Sequence, residues 1–423
     1  MTSRERVAKA LNHQEPDRVP VDLGASLVSG IMASSYDRLK KHLRLNGRKT
    51  RVGELYQMLA EVEEPVRRRL GVDVVGVFPP GGIFGIRNER WKPFVMFDGT
   101  EVEVPGDFNY RIAENGDLLL SPKGDVSKPP CARMPKGGYY FDAIMQPPLP
   151  DDAQPDPKDY TRAFSLFTQE ELEGIRQQAE TLHRNTEYAL LGNFGKGGLG
   201  DFPFLVGVGV ENPGGIRNPA DWMAAHVLHK SYIHEVFAEQ TENCLQDLKL
   251  FKQAVGERIC AVFISGTDFG TQRGELFSVD TFRELYFPYY KRMNDWVHHN
   301  TSWKTWYHSC GSIYRLLPTF VEMGVDVLNP VQCSAHNMEP ERLKSEFGDK
   351  LVFWGGGIDT QKTLPFGTPG QVREEVRQRI RAFAPGGGFV FNPIHNVQRG
   401  VPPENLLAAF EAVKEFGGYL IGG

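Results

Sequence analysis

Residues 304–332 read KTWYHSCGSIYRLLPTFVEMGVDVLNPVQ. The stretch opens on a β-rich run, Lys304 to Ser309, and closes on a second, Val325 to Asn329, with a helical connection between them. Strand, helix, strand is the unit from which parallel sheets are built. Working outward, the alternation recurs along the chain. Candidate strands fall at Arg18 to Leu23 (RVPVDL), Val72 to Phe78, Tyr188 to Asn193, Cys260 to Ser265, Leu351 to Trp354 and Gly388 to Asn392. With the two above they make eight, the number that closes a barrel filled by its own side chains. The expected fold is α/β: a (β/α)8 TIM barrel, a single unit over residues 1–423.

Helices are expected between the strands. From Ser278 to Asn300, Phe282, Leu285, Tyr286, Tyr289, Met293, Trp296 and Val297 recur at three- and four-residue steps, which predicts one amphipathic helix with Ser278 as its N-cap. Val372, Val376, Ile380 and Phe383 repeat the pattern, as do Leu406, Phe410 and Val413. The rhythm breaks over residues 81–157. Alternating segments there carry turn signals at Asp98-Gly99 and Asn115-Gly116, which predict an antiparallel β insertion after the second barrel strand. The Pro-rich QPPLPDDAQPDPKDY then returns the chain to the barrel.

Composition narrows the function classes. Of 423 residues, 40% are hydrophobic and 24% charged, with a formal net charge of -5. That balance is ordinary for a globular protein and lacks the basic excess of a nucleic-acid binder. The cysteines, at 131, 244, 260, 310 and 333, are odd in number and irregular in spacing, which points to a reducing, cytoplasmic setting. No signal-peptide pattern opens the chain, and no apolar run is long enough to span a bilayer.

In a barrel of this kind, chemistry sits at the C-terminal ends of the strands, and here those ends are rich in polar groups. The fourth strand leads into Asp268 and Gln272, and the fifth carries Tyr307 and ends in His308-Ser309-Cys310. The sixth ends in Asn329, with Gln332 and Cys333 just beyond. Asp359 follows the seventh, and Asn392, His395 and Gln398 close the eighth. His308 and Cys310 are two residues apart, so strand alternation aims both the same way. Imidazole with thiolate is a zinc-preferring pair, but zinc sites use three or more protein ligands. The bland alternative is a core histidine beside a buried thiol. His395 and Cys333 are both candidate third ligands. Asp268 is read as a substrate contact or general base, or else as a loop cap, and Asp359 has the same alternatives. A Gly-rich stretch, Asn193 to Asp201, is read either as a loop that lets a flat cofactor approach the backbone or as a plain surface loop.

Four stretches carry a family resemblance. TSRERVAKALNHQEPDRVPVDLG, GTDFGTQRGELFSVDTFRELYFPYYKRM, WYHSCGSIYRLLPTFVEMGVDVLNPVQ and GGGFVFNPIHNVQRGVPPENLLAAF, in this order, resemble the uroporphyrinogen decarboxylase superfamily. True decarboxylases of that superfamily carry an arginine-rich loop after the first strand that grips a polyacidic tetrapyrrole. Here VDLGASLVSGIMASSY follows Pro20, with no arginine until Arg38. The corrinoid-dependent methyltransferase branch is closer in motif. Its thiol-methylating members hold zinc by His-x-Cys and a cysteine at the last strand. His308-Ser309-Cys310 is similar to the first part, and His395 stands where that cysteine would be. The resemblance therefore implies Zn2+ on His308, Cys310 and His395, with Cys333 as the alternative third ligand. One thiolate rather than two leaves the metal more electrophilic, suited to an ether oxygen.

The expected activity is methyl transfer between a small methylated, methoxy-type substrate and a corrinoid carried by a partner protein, with a homodimer as the common assembly of such families. Gln272, Asn329, Gln332, Asp359, Asn392 and Gln398 would then bind substrate. The alternative is cofactor-free decarboxylation, with His395, Asp268 and Tyr307 as proton donors or electrostatic stabilisers.

Overall fold

The computed structural model describes residues 1–419 apart from Asn46 and Asp151. Asp151, in the expected Pro-rich connection, and residues 420–423 of the expected single unit therefore lie outside the described residues. Seven strands form one parallel sheet in sequential order: β1 (Val74–Val77), β2 (Ala189–Gly192), β3 (Ala261–Ser265), β4 (Lys304–His308), β5 (Val327–Asn329), β6 (Val352–Trp354) and β7 (Phe389–Val390). Each lies inside a run expected from the sequence.

The remaining expected strand, Arg18 to Leu23, is not one. It makes an isolated parallel bridge between Val21 and Phe391 instead of a ladder. Two residues explain this. Pro20 has no N–H to give, and the N–H of Val21 is taken by the Asp73 carboxylate at 2.9 Å. The segment nevertheless bonds both edges of the sheet: Phe391 N–H donates to Pro20 O, Asp22 N–H to Phe391 O, and Asp73 N–H to Val21 O, each at 2.8 Å. One short segment can reach β1 and the end of β7 together only if the sheet curls round on itself.

Strand alternation sorts the core into two layers. Val74, Ala189, Leu191, Ala261, Phe263, Trp306, Val327, Val352, Trp354 and Val390 pack inside the curl. They share that cluster with Val7, Ala10 and Leu11 of the helix Ser3–Leu11, which stoppers the N-terminal end. Thr2 and Glu5 close a capping box at the start of this helix. The alternate residues, among them Val75, Leu190, Val262, Tyr307, Leu328 and Phe353, face the surrounding helices.

The expected helix over residues 278–300 is two, Val279–Leu285 and Phe287–Asn300, with Tyr286 between them. Pro288 cannot donate to the turn before it, so the helix restarts there. Ser278 caps the first, accepting from Thr281 N–H at 3.0 Å.

Between β1 and β2 lie antiparallel sheets. Lys92–Val95 pairs with Glu101–Val104, and Tyr110–Ile112, Leu118–Leu120, Ala132–Met134 and Asp142–Ala143 form a four-stranded meander. A separate apolar cluster, which includes Phe84, Phe108 and Phe141, supports them. No helix among the described residues is long and apolar enough to cross a membrane.

Candidate metal centre

β4 delivers the first functional side chain. Its alternation turns Trp306 and His308 inward and Thr305 and Tyr307 outward. Tyr307 therefore does not reach the site: its hydroxyl donates to Asn294 Oδ1 on the helix Phe287–Asn300 at 2.8 Å, and its ring packs on Tyr290. The role expected for Tyr307 as a proton donor is corrected by the same periodicity that admits its neighbour.

His308 is 3% exposed. Its Nδ1 lies 2.6 Å from Asn329 Oδ1, and Asn329 Nδ2 donates to Trp354 O at 2.8 Å. The carbonyl of Trp354 accepts only, so it orients the amide with Oδ1 toward the imidazole. Nδ1 then carries the proton, and the Nε2 lone pair points into the site. Cys310 Sγ lies 3.2 Å from that Nε2. The turn that carries Cys310 is tightly held: its N–H donates to Asp268 Oδ1 at 2.6 Å, and Gly311 N–H donates to Gln332 Oε1 at 2.7 Å. Gly311 sits at φ +89°, where a Cβ would fall 2.4 Å from the carbonyl carbon of Gly270. Only glycine lets these two loops close on each other.

His395 follows β7. Its ring centroid is 5.4 Å from that of His308 at 69°. The ligand atoms of His308, Cys310 and His395 all lie within 4.8 Å of one another. Asn396 pins the segment: its Oδ1 accepts from Gly30 N–H at 2.5 Å, and its Nδ2 donates to Leu27 O at 2.9 Å.

Burial lowers both imidazoles to about 4, helped at His395 by repulsion from His308, so both are neutral at pH 7. Burial, with Asp268 adding to it, holds the Cys310 thiol well above its ordinary value. Asp268 Oδ1 is 3.8 Å from His308 Nε2. Its side chain is open to the cleft, yet the enclosing protein raises its carboxyl, against the pull of the Cys310 N–H.

A cleft of about 1690 Å³ opens above the cluster, with His308, His395, Asp268, Asn193 and Asp201 in its lining. This exceeds the usual range for a small-molecule pocket, roughly 300–1,000 Å³.

The other expected residues are placed elsewhere. Cys333 Sγ contacts Val331 O at 3.3 Å and is outside the cluster. None of the six expected substrate contacts lines the cleft. Asn329 is fully engaged between His308 and Trp354, and Gln332 holds the Cys310 turn. Asp359 caps its own loop, accepting from Gln361 and Lys362 N–H at 2.6 and 2.9 Å. Asn392 is buried, with Nδ2 toward Asp22 O and Ser29 O. Gln398 donates to Asn396 O at 3.2 Å, and Gln272 is exposed on the surface. Gln332, Asp359, Asn392 and Gln398 share one reason: strand-end loops must satisfy their own backbone groups first, and nearby polar side chains are the partners. Two cleft residues, Asn193 and Asp201, were passed over inside the Gly-rich stretch. Their signal was their place just past β2.

Known proteins bear on this geometry. Two curated uroporphyrinogen decarboxylases are similar over a short stretch. That of Psychromonas ingrahamii is 35% identical over 72 residues, 17% of this chain and 20% of its own length. That of Pseudoalteromonas translucida is 36% identical over 73 residues, with the same coverage. The chain thus spans about a fifth of the length of these relatives. A solved methyltransferase from Methanosarcina mazei superposes with a TM-score of 0.58 over 98% of this chain and 99% of its own, at 14% identity, a likeness of fold. The family model described as uroporphyrinogen decarboxylase (URO-D) matches residues 203–416, half of the chain, a span that takes in His308, Cys310 and His395. On that match the chain belongs to the uroporphyrinogen decarboxylase (URO-D) family.

Proposed function

We propose that the protein is a zinc-dependent methyltransferase, moving a methyl group between a small methylated substrate of the methoxy type and a corrinoid carried by a partner protein. The observation that carries this reading is the convergence, within 4.8 Å, of the Cys310 thiol and two neutral imidazoles, His308 and His395, that line a large cleft.

The residues fit the metal. Nitrogen and sulfur donors in this number suit a catalytic zinc site, which uses three protein ligands and keeps one position open. The Asn329 amide behind His308 is the outer partner such histidines require. Bound there, zinc would supply Lewis acidity to the heteroatom that leaves the methyl group. The chain's own residues do the rest. Asn329 fixes the ring of His308, and Asp268 and Gln332 hold the Cys310 turn. Phe202, Phe204, Met223 and Leu276 stand exposed in the cleft lining, which leaves an apolar approach for a large partner cofactor.

The decarboxylase reading is favoured by the names of the matched relatives. Against it stand three of the four arginines in the cleft lining, Arg67 being the fourth. Arg87 pairs with Glu170, Arg48 pairs with Glu61, and Arg217 donates to the carbonyls of Gly214, Phe204, Leu205 and Tyr160. These guanidinium groups are committed to the protein rather than to substrate carboxylates.

The test is elemental analysis followed by assay. Purified protein should carry zinc. Chelated protein should lose methyl transfer from 2-methoxyphenol to reduced cobalamin and regain it with zinc. Full methyl transfer after proven metal removal, or release of CO2 from uroporphyrinogen by metal-free protein, would sink the proposal.

A further inference from the structure

We propose that Asp201 is a substrate-binding residue that selects methylated substrates bearing a hydrogen-bond donor, a hydroxyl or an ammonium, beside the group to be transferred. This rests on reading the cleft as the substrate site, but it does not depend on the metal.

Asp201 lines the cleft with Asp268, His308 and His395. It precedes the short helix Phe202–Leu205, yet its side chain makes no capping bond to it. Among the described residues no cation pairs with it, and burial, reinforced by Asp268, pushes its carboxyl up to about 7 against a hydrogen bond from the adjacent Phe202 amide. The loop cation Lys196 is spent on Asp247 at 2.6 Å and Ser165 O at 2.8 Å.

The position is built rather than incidental. Tyr290, fully buried, takes Leu199 N–H on its hydroxyl at 3.1 Å and bonds Ser265 Oγ at 2.8 Å, while Thr267 Oγ1 donates to Leu199 O at 3.0 Å. These bonds staple the 199–201 loop to the end of β3. Gly198 and Gly266 leave the room: a Cβ on either would stand 3.1 or 3.2 Å from Asp201 Oδ2.

An independent observation points the same way. Asn193, 4% exposed, also lines the cleft. Its Nδ2 is fixed on Ala25 O at 2.8 Å, and its Oδ1 has no partner. A buried acceptor left without a donor is costly. Asn193 Oδ1 is enclosed, so this side of the cleft is short of protein donors, and a ligand that brings one to the Asp201 carboxylate supplies what the protein does not.

The experiment is calorimetric binding of three probes to the full chain, with and without zinc: 2-methoxyphenol, 2-methoxybenzylamine and 1,2-dimethoxybenzene. The first two carry a donor, and the third is the methylated counterpart of the first. The wild type should favour at least one donor probe by roughly tenfold to a hundredfold, the range of a hydrogen bond to a charged group. Asp201→Ala should erase that preference while leaving 1,2-dimethoxybenzene binding and zinc content unchanged. Asp201→Asn, which keeps the shape, should narrow it. A preference that survives Asp201→Ala, a wild type that binds all three alike, or no binding of any probe overturns the proposal. Equal weakening of all three probes by both variants would mark Asp201 as merely structural and overturns it too. Because binding is read without turnover, a failed methyl-transfer assay leaves this result separate.

Discussion

The two ends of the barrel use the same residue type in opposite ways. At the N-terminal end, Asp73 is 0% exposed and fully engaged. It accepts from Ser3 Oγ and Arg6 at 2.7 Å, from Arg18 at 2.7 and 2.9 Å, and from Val21 N–H at 2.9 Å. That one carboxylate ties the stopper helix, the bridging segment and β1 together. At the C-terminal end, Asp201 and Asp268 face the cleft with no cation between them among the described residues, beside the convergent side chains of His308, Cys310 and His395. One end spends its polar groups on closure, and the other holds them in reserve. This is the division between stability and chemistry that a barrel's two faces follow.

The comparison can be broken at either end. The largest effect is expected at the mouth: His308→Ala or Cys310→Ala should bring zinc content to background and abolish methyl transfer, while the far-ultraviolet spectrum stays that of the wild type. A variant that keeps both metal and turnover removes the centre from the mechanism. At the other end, Asp73→Ala strands the Arg18 guanidinium and the Val21 N–H and takes from Arg6 one of its two carboxylate partners, the other being Asp17. Denaturant unfolding should show a loss of about 3–5 kcal/mol, with zinc per folded molecule unchanged. A loss under about 1 kcal/mol would mean that closure does not depend on this residue.

Smaller effects sharpen the picture of the mouth. Asn329→Ala should weaken zinc binding by roughly 10- to 100-fold without a matching rise in substrate KM. The reverse outcome would return Asn329 to the substrate contacts. Zinc uptake at pH 7 should release about one proton, measured by calorimetry in buffers of different ionisation enthalpy. The sign follows from the site: both imidazoles, lowered to about 4, have already lost their protons, while the Cys310 thiol, raised by burial, has not. Affinity should therefore rise with pH, roughly tenfold per unit while the thiol remains protonated. The smallest effect is reserved for Tyr307→Phe, which removes the bond to Asn294, costs about 1 kcal/mol and leaves kcat unchanged. A large fall in kcat would put the hydroxyl back in the chemistry.

Legibility followed the range of the interactions. Strand positions, the inward face of His308 and the cap at Ser278 could be read from the sequence because alternation and capping involve near neighbours. The reading failed where a distant or overlooked partner intervened. Arg18 to Leu23 has strand composition, but Pro20 and the far-off Asp73 take away its ladder. The helix over residues 278–300 has one continuous apolar face, but Pro288 divides it. Tyr307 was drawn into the site by sequence proximity, although the pleat turns it away. Asn329 and Gln332 look like substrate contacts until the groups they satisfy, on β4 and in the turn beyond it, come into view.

The order of residues by itself determined the elements and the chemical character of their ends, because local backbone preference and side-chain periodicity act over a few residues. Only the tertiary structure decided that His395 meets His308 and Cys310 while Cys333 does not, and that Asp201 joins Asp268. Those meetings depend on how far the sheet curls before its edges close on residues 20–22. That curl is set by packing inside the barrel and by the bonds at its seam, which no single segment encodes.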